Sequence, residues 1–277
     1  MKKIKFSVLM SIYINDKKCY VENAINSIIN QTILPNQFVI IVDGPISEDL
    51  KKILNDYKKK YSFIDLFFRD VNLGLGKTLN EGLKLCKYDY IARMDADDES
   101  KLNRFEEQIK YLEKHPEVDA IGCNIAEYDE KMNDIVSYRV VPETNEEIRK
   151  FSKKRNPFNH PTVIFKKKSV LKVGGYEDYP YFEDYYLWSK MIANNCIMYN
   201  SQKYLYKFRA GSSMFKRRGG YKYLKCIKKF EKGLFNLKII SKKEYYINVS
   251  KRYIGALIPN CLRRFLYMKL LRKKKVS

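Results

Sequence analysis

The sequence predicts an α/β protein: a mostly parallel sheet flanked by helices, followed by a basic helical C-terminal extension. Three observations carry this expectation. Over the first hundred residues, short apolar runs alternate with amphipathic stretches in a β-α-β-α-β-α-β rhythm with brief polar joints. Polar residues gather directly behind the apolar runs, where ligands of such sheets bind. Charge is unevenly placed: after residue 212, 20 Lys and Arg stand against two acids, Glu231 and Glu244, so most of the net +22 sits there.

Each element has a local reason. Val- and Ile-rich runs predict strands over 6–13, 38–43, 64–69 and 88–94. Apolar residues at helical spacing predict helices over 19–30, 48–61 and 75–86, the second entered near Ser47. A helix over 101–115 follows, then β-like runs at 118–128 and 135–141. A short helix is expected near 143–151, a strand at 163–165, and a chain break at Gly174-Gly175. A helix over 183–194 and two short strands, 197–199 and 204–208, close the body. From Tyr221 the pattern is helical, basic and amphipathic. Charge alone sets the domain division: 1–212 as the body and 213–277 as the extension.

Composition narrows the function. Hydrophobic residues make up 45% of 277, enough for a large core and too many for a disordered chain. Six scattered cysteines without a CxxC pair, and only two histidines, read as reduced thiols of a cytosolic protein rather than a zinc site. The start, MKKIKFSVLMSIYINDKKCY, mimics a signal peptide, but no small-x-small cleavage site follows and a polar run does. No stretch reaches the roughly 18–20 apolar residues of a membrane span. The protein is therefore expected in the cytoplasm. The basic quarter calls for an anionic partner: lipid headgroups, nucleic acid or a phosphorylated substrate.

The motifs fall at strand ends. The stretch YDYIARMDADDES puts Asp95, Asp97, Asp98 and Glu99 behind an apolar run. It is a solvated turn or a site for a hard divalent cation, Mn²⁺ or Mg²⁺, held by carboxylate oxygens. Asp98 and Glu99 also suit the first turn of the helix that follows. VIIVDGP ends a strand on Asp43, either a turn residue or an acceptor for a nucleobase or ribose. NLGLGKTLNEG lacks the glycines of a Walker loop or a dinucleotide fingerprint. It remains a turn feeding a helix N-terminus, with Lys77 in the first turn, that favours anions. YFEDYYLW sets Glu183 and Asp184 at a helix start among aromatics, where partial burial suits a general base. FNHPTVIF places His160 before a strand; His115 reads as a helix terminator only.

The ordered set of Ser11 and Tyr13, Asp43, Asn72-x-Gly74, Asp95-x-Asp97, His160 and Glu183-Asp184 resembles the family 2 glycosyltransferases of GT-A fold. The likeness runs over about residues 5–212, and is nearest in MDADD and HPTV to bacterial enzymes of capsule, exopolysaccharide and lipopolysaccharide assembly. The resemblance implies roles. Ser11, Ile12 and Tyr13 would line the nucleotide pocket, and Asp43 would meet the base, usually uracil. Asn72, Lys77 and Arg93 would lie near the donor. Asp95 would bind ribose or metal, and Asp97 metal. His160, Trp188 and Arg209 would lie near diphosphate and acceptor. Asp184 would be the base, with Glu183 second. The implied reaction is inverting transfer of a hexose from a UDP-sugar or related donor to a glycan or lipid-linked saccharide. The amphipathic stretch 253–274 would rest on the inner face of the membrane. Two other readings are a nucleotidyltransferase that makes the sugar nucleotide and a nucleic-acid-binding protein. The first lacks a Gly-rich loop after strand one, and the second leaves the strand-end acids unexplained.

Overall fold

In the computed structural model, residues 3–210 and 221–257 are described. The four predicted strands form one parallel block: β1 (Phe6–Ile12), β2 (Gln37–Val42), β3 (Ile64–Phe68) and β4 (Tyr90–Met94). The helices between them are α1 (Lys18–Ile29), α2 (Glu48–Lys60) and α3 (Leu75–Leu85). Ser47 caps α2 by accepting the Leu50 N–H, as its position suggests. The chain then adds β5 (Glu99–Ser100), α4 (Arg104–Lys114), β6 (Ala120–Tyr128), β7 (Ile135–Arg139) and α5 (Asn145–Phe151). A 3₁₀ turn (His160–Thr162) leads into β8 (Ile164–Lys166), α6 (Lys167–Lys172), α7 (Glu183–Ala193) and β9 (Met198–Arg209).

The strand order is β3-β2-β1-β4-β8-β6-β9-β5, with β7 paired to β6. β1 pairs in parallel with both β2 and β4. The chain therefore moves outward on one side of β1 and then returns to start the other side. That reversal opens a crevice beyond the carboxyl ends of β1 and β4. Beyond β4 the pairing is mixed: β8 is antiparallel to β4 and β6, while β9 runs parallel to β6.

Period-two burial builds a core on each face. Val8, Met10, Ile12, Phe38, Ile40 and Val42 point to one face with α1, α2 and α4. Leu9, Val39 and Ile41 point to the other, with α3 and α7. Each such side chain contributes about 1.5–3 kcal/mol by leaving water. A third core joins α7 to α8 (Tyr221–Asn236) and α9 (Lys242–Leu257) through Phe182, Tyr185, Ile227 and Phe230. Inside it, the fully buried Glu231 accepts from Arg252 Nε at 2.6 Å and from Asn248 Nδ2 at 3.1 Å. The guanidinium of Arg252 also lies against Phe182, Tyr185 and Phe230.

Several expectations change. Asp98 and Glu99 do not start a helix. Glu99 lies in β5, paired opposite Lys207, and α4 begins only at Arg104, with Glu106 and Glu107 in its first turn. The two strands expected at 197–208 are one, β9, because register shifts beside Cys123 and Asn124 let it pass the irregularity unbroken. Helix α6 was not foreseen; its six residues are too few to show a period. The charge-based division at 212 and most of the stretch 253–274 lie outside the described residues. No described helix is long and apolar enough to cross a membrane.

Removing Arg252 would strand a buried carboxylate. Arg252→Ala should lower unfolding stability by about 3–5 kcal/mol in denaturant titrations. Adding Glu231→Leu should restore a large part of it, and additive losses would show that the pair is not the organising contact.

Candidate functional site

The acidic turn sits in the crevice beyond β1 and β4. Carboxylate oxygens of Asp95, Asp97 and Asp98 all lie within 4.8 Å of one another. Beneath them the buried Arg93 donates from Nη2 to Asp95 Oδ1 at 2.5 Å. Its Nε and Nη1 are buried without a hydrogen-bond partner in the protein. The far side of the turn is held by the end of β9. There Arg209 donates its backbone N–H to Asp98 Oδ1 and its Nε to the Asp97 carbonyl, both at 2.8 Å. The Arg209 guanidinium lies 3.8 Å from the Tyr20 ring centre. Asp95 N–H meets the Tyr206 hydroxyl at 3.3 Å.

These acids differ in setting. Asp97 is exposed, Asp95 half-buried and Asp98 buried. Burial pushes the Asp98 carboxyl well above the usual range, and the charges of Asp97 and Asp95 push it further. Asp97 and Asp95 thus stand nearer solvent, while Asp98 is committed to the turn. Clustered hard oxygens fit a divalent cation such as Mn²⁺ or Mg²⁺.

A fourth acid joins them that sequence reasoning missed. Asp16 closes the turn after β1, accepting the Tyr13 N–H at 2.9 Å. Its carboxyl is pushed up to about 7, chiefly by burial and further by Asp97 and Asp95. It stood in the polar run Asn15–Lys18, where nothing in the spacing marked one residue above its neighbours.

The neighbouring wall comes from β2. Asp43 is buried, and its two oxygens accept the N–H groups of Leu73 and Gly74 at 3.0 Å each. Arg69 Nη1 adds a contact at 3.3 Å. Asn72 Nδ2 returns a hydrogen bond to the Asp43 carbonyl. Gly44 completes this turn at φ +92°, and a Cβ there would lie 2.9 Å from the Asn72 nitrogen. Asp43 and Asn72 therefore bind each other's loops, and through them set where α3 starts. Lys77 stands exposed in the first turn of α3. Ser11 is half-buried and Tyr13 exposed at the end of β1. Ile12 faces the core, so only its backbone reaches the crevice; its carbonyl accepts from Asp43 N–H at 2.7 Å.

The opposite wall is the start of α7, next to the start of α3. A Cβ on Gly76 would lie 3.7 Å from Glu183 Cγ and 3.6 Å from Tyr176 Cβ. Asn80 ties α3 to the loop that precedes α7 by donating to the Tyr176 carbonyl and accepting the Tyr176 N–H. Asp184 Oδ2 accepts from Asn156 Nδ2 at 2.6 Å. Burial pushes the Glu183 carboxyl up to about 7, with Asp184 adding to it. His160 Nε2 meets the Tyr176 hydroxyl at 2.9 Å. Burial, reinforced by the Arg93 charge, holds the imidazole well below its ordinary pKa and so neutral. Trp188 does not line the crevice. It is fully buried against Phe158 and Phe165, and its ring supports His160 edge-on from 6.1 Å. Asn156 and Tyr176 carried no sequence signal, since their importance lies only in what they touch.

Comparison with known proteins identifies the family and the fold. The model of "Glycosyl transferase family 2" matches residues 7–179. An uncharacterized glycosyltransferase of Haemophilus influenzae is 39% identical over 98% of this chain and 100% of its own. The UDP-Gal:alpha-D-GlcNAc-diphosphoundecaprenol beta-1,3-galactosyltransferase of Escherichia coli is 36% identical over 97% of both chains. The amylovoran biosynthesis glycosyltransferase AmsE of Erwinia amylovora is 36% identical over 95% of this chain and 98% of its own. Among solved structures, S. aureus TarS 1–349 in complex with UDP-GlcNAc superposes with a TM-score of 0.66 at 17% identity, over 99% of this chain and 76% of that one. The mannosyltransferase PcManGT of Pyrobaculum calidifontis, in complex with GDP-Man and Mn²⁺, gives 0.64 at 12% identity, over 98% and 76%. These two show the shared GT-A fold. The chain belongs to glycosyl transferase family 2.

Glu183 supplies a pH test. Its folded pKa of about 7 lies above the ordinary 4.5. Its contribution to stability is thus full below pH 4.5 and is lost as pH rises through 7. Glu183→Gln, which has no charge to bury, should melt progressively higher than wild type between pH 5 and 8. A constant offset across that range would contradict the burial.

Proposed function

We propose that this family 2 glycosyltransferase transfers a hexose, with inversion, from a UDP-sugar to a hydroxyl of a lipid-linked saccharide in the assembly of a bacterial surface polysaccharide. One observation carries the reading. Three carboxylates gather over a buried Arg93 in the β1–β4 crevice, facing two adjacent helix starts of which one bears a second carboxylate pair. The name of the Escherichia coli relative, with its UDP-galactose donor and diphosphoundecaprenol-borne acceptor, supports the substrate class. The match to AmsE supports the polysaccharide setting.

In this reading the chain divides the labour. Ser11, the Ile12 backbone and Tyr13 line the nucleotide. The Asp43–Asn72 turn holds the base side of the pocket, with any base contact made by oxygen lone pairs that the loop leaves open. Lys77 and the N-terminus of α3 meet the diphosphate, as do N–H groups of Arg93 that lack a protein acceptor. Asp97 and Asp95 would hold Mn²⁺ or Mg²⁺, which supplies neutralising charge for the leaving nucleoside diphosphate. Asp184, oriented by Asn156, takes the proton of the acceptor hydroxyl. The freed oxygen bonds to the anomeric carbon on the face opposite the diphosphate, which departs with the bonding electron pair. An α-linked donor then gives a β-linked product. Neutral His160, fixed by Tyr176, gives the crevice floor a polar group without adding charge. Arg209 positions the acidic turn from its far side. The basic C-terminal residues would bring the enzyme to the inner membrane surface, where a lipid-borne acceptor resides.

Asp184→Asn should retain binding of the nucleotide sugar and lower transfer by about 10²–10⁴-fold. Asp97→Ala should fold normally and lose roughly a hundredfold or more of metal-dependent transfer. Wild-type transfer in Asp184→Asn would move the base to Glu183, and wild-type transfer in Asp97→Ala would remove the cation from the reading.

A further inference from the structure

We infer that the outward face of α9 is a membrane-docking surface that seats the α7 carboxylates over a lipid-borne acceptor. The inference rests on the acceptor class proposed above and adds the face that makes the contact and its link to the reacting groups.

The geometry of α9 sorts its residues onto two opposite faces. At 100° per residue, Asn248, Arg252 and Ala256 share one side. Asn248 and Ala256 are buried, and Asn248 and Arg252 bind Glu231 of α8. About half a turn away lie Tyr246, Ile247, Ile254 and Leu257, which are 58%, 40%, 63% and 71% exposed. Four large apolar side chains on one solvent-facing stripe are not required by the fold, since the body is already packed on the other side. Lys243 and Lys251 lie on the same stripe and are exposed. Apolar residues edged by lysines match the interface of an anionic bilayer, where the chains enter the headgroup region and the ammonium groups meet phosphate.

The chain beyond α9 has the same character. Residues 258–277 carry seven Lys and Arg and no acid. The charge therefore matches an anionic surface along the continuing chain and disfavours a second copy of this strongly basic segment as the occupant.

The inner face of α9 connects this surface to the site. Asn248 Nδ2 donates to the Lys153 carbonyl at 2.8 Å, and Arg252 Nη2 to the Lys154 carbonyl at 3.2 Å. Two residues further, Asn156 holds Asp184. The loop 153–156 thus spans from the docking helix to the carboxylate that takes the acceptor proton. Docking α9 fixes the height of that carboxylate above the bilayer.

The test uses the full chain and the double variant Ile247→Glu/Ile254→Glu, whose sites are exposed and outside the site. Vesicles of phosphatidylglycerol mixed with phosphatidylcholine should bind wild type and bind the variant at least tenfold more weakly. Transfer to a long-chain lipid diphosphate saccharide presented in those vesicles should fall with binding, while transfer to a water-soluble short-chain analogue stays at the wild-type rate. Equal vesicle binding by the two proteins would overturn the inference. So would equal loss on both acceptors, or a wild-type dimer that the variant dissolves with vesicle binding unchanged. Failure of the glycosyltransferase reading would show separately, as absence of transfer to either acceptor by wild type.

Discussion

The organising constraint of this molecule is the repulsion among Asp95, Asp97 and Asp98. Two full charges about 4 Å apart repel by about 4 kcal/mol at an effective dielectric near 20. Three carboxylates whose oxygens lie within 4.8 Å cannot stay there without compensation. The fold supplies it from two directions. Arg93 comes from inside β4 and pairs with Asp95, while Arg209 comes from the end of β9 and takes up Asp98 and the Asp97 carbonyl. Burial adds a third adjustment by favouring the protonated form of Asp98. Asp95 and Asp97 stand toward solvent, half-buried and exposed.

Much of the topology serves this turn. Strand β9 must run parallel beside β6 and then reach β5, or Arg209 would not arrive. The reversal of strand order at β1 and β4 provides the crevice in which the turn stands. On the facing side, Asp43 and Asn80 fix α3 against the sheet and against the 174–176 loop. That fixes the distance between two helix starts and so between the anion-favouring terminus of α3 and the carboxylates of α7. Gly175, at φ +66°, lets its backbone approach to within reach of Asn80, where a Cβ would lie 2.4 Å from the amide oxygen.

The sequence made the parallel block legible because its signals are local. Buried strands of Val and Ile, helices of clear period and a Ser N-cap all announce themselves within a few residues. The strand-end acids were legible for the same reason, and their order along the chain pointed to the family. Residues that matter through distant partners were not legible. Asp98 looked like a helix-start acid because its real partner, the Arg209 backbone, is 111 residues away. Trp188 looked like a site aromatic because helical spacing does not say which neighbour covers a face. Asp16, Asn156 and Tyr176 act through contacts that no pattern encodes. The joining of α8 and α9 to α7 through Glu231 and Arg252 was likewise hidden behind the excess of lysine.

In the function proposed above, the compensated acid cluster holds a nucleoside diphosphate together with a divalent cation. Calorimetric titration of UDP into the full-length protein, with Mn²⁺ and then with chelator, tests it most directly. Binding should require the ion and weaken at least tenfold when the ion is removed. Equal affinity with and without Mn²⁺, or no binding of any nucleoside diphosphate, would contradict it.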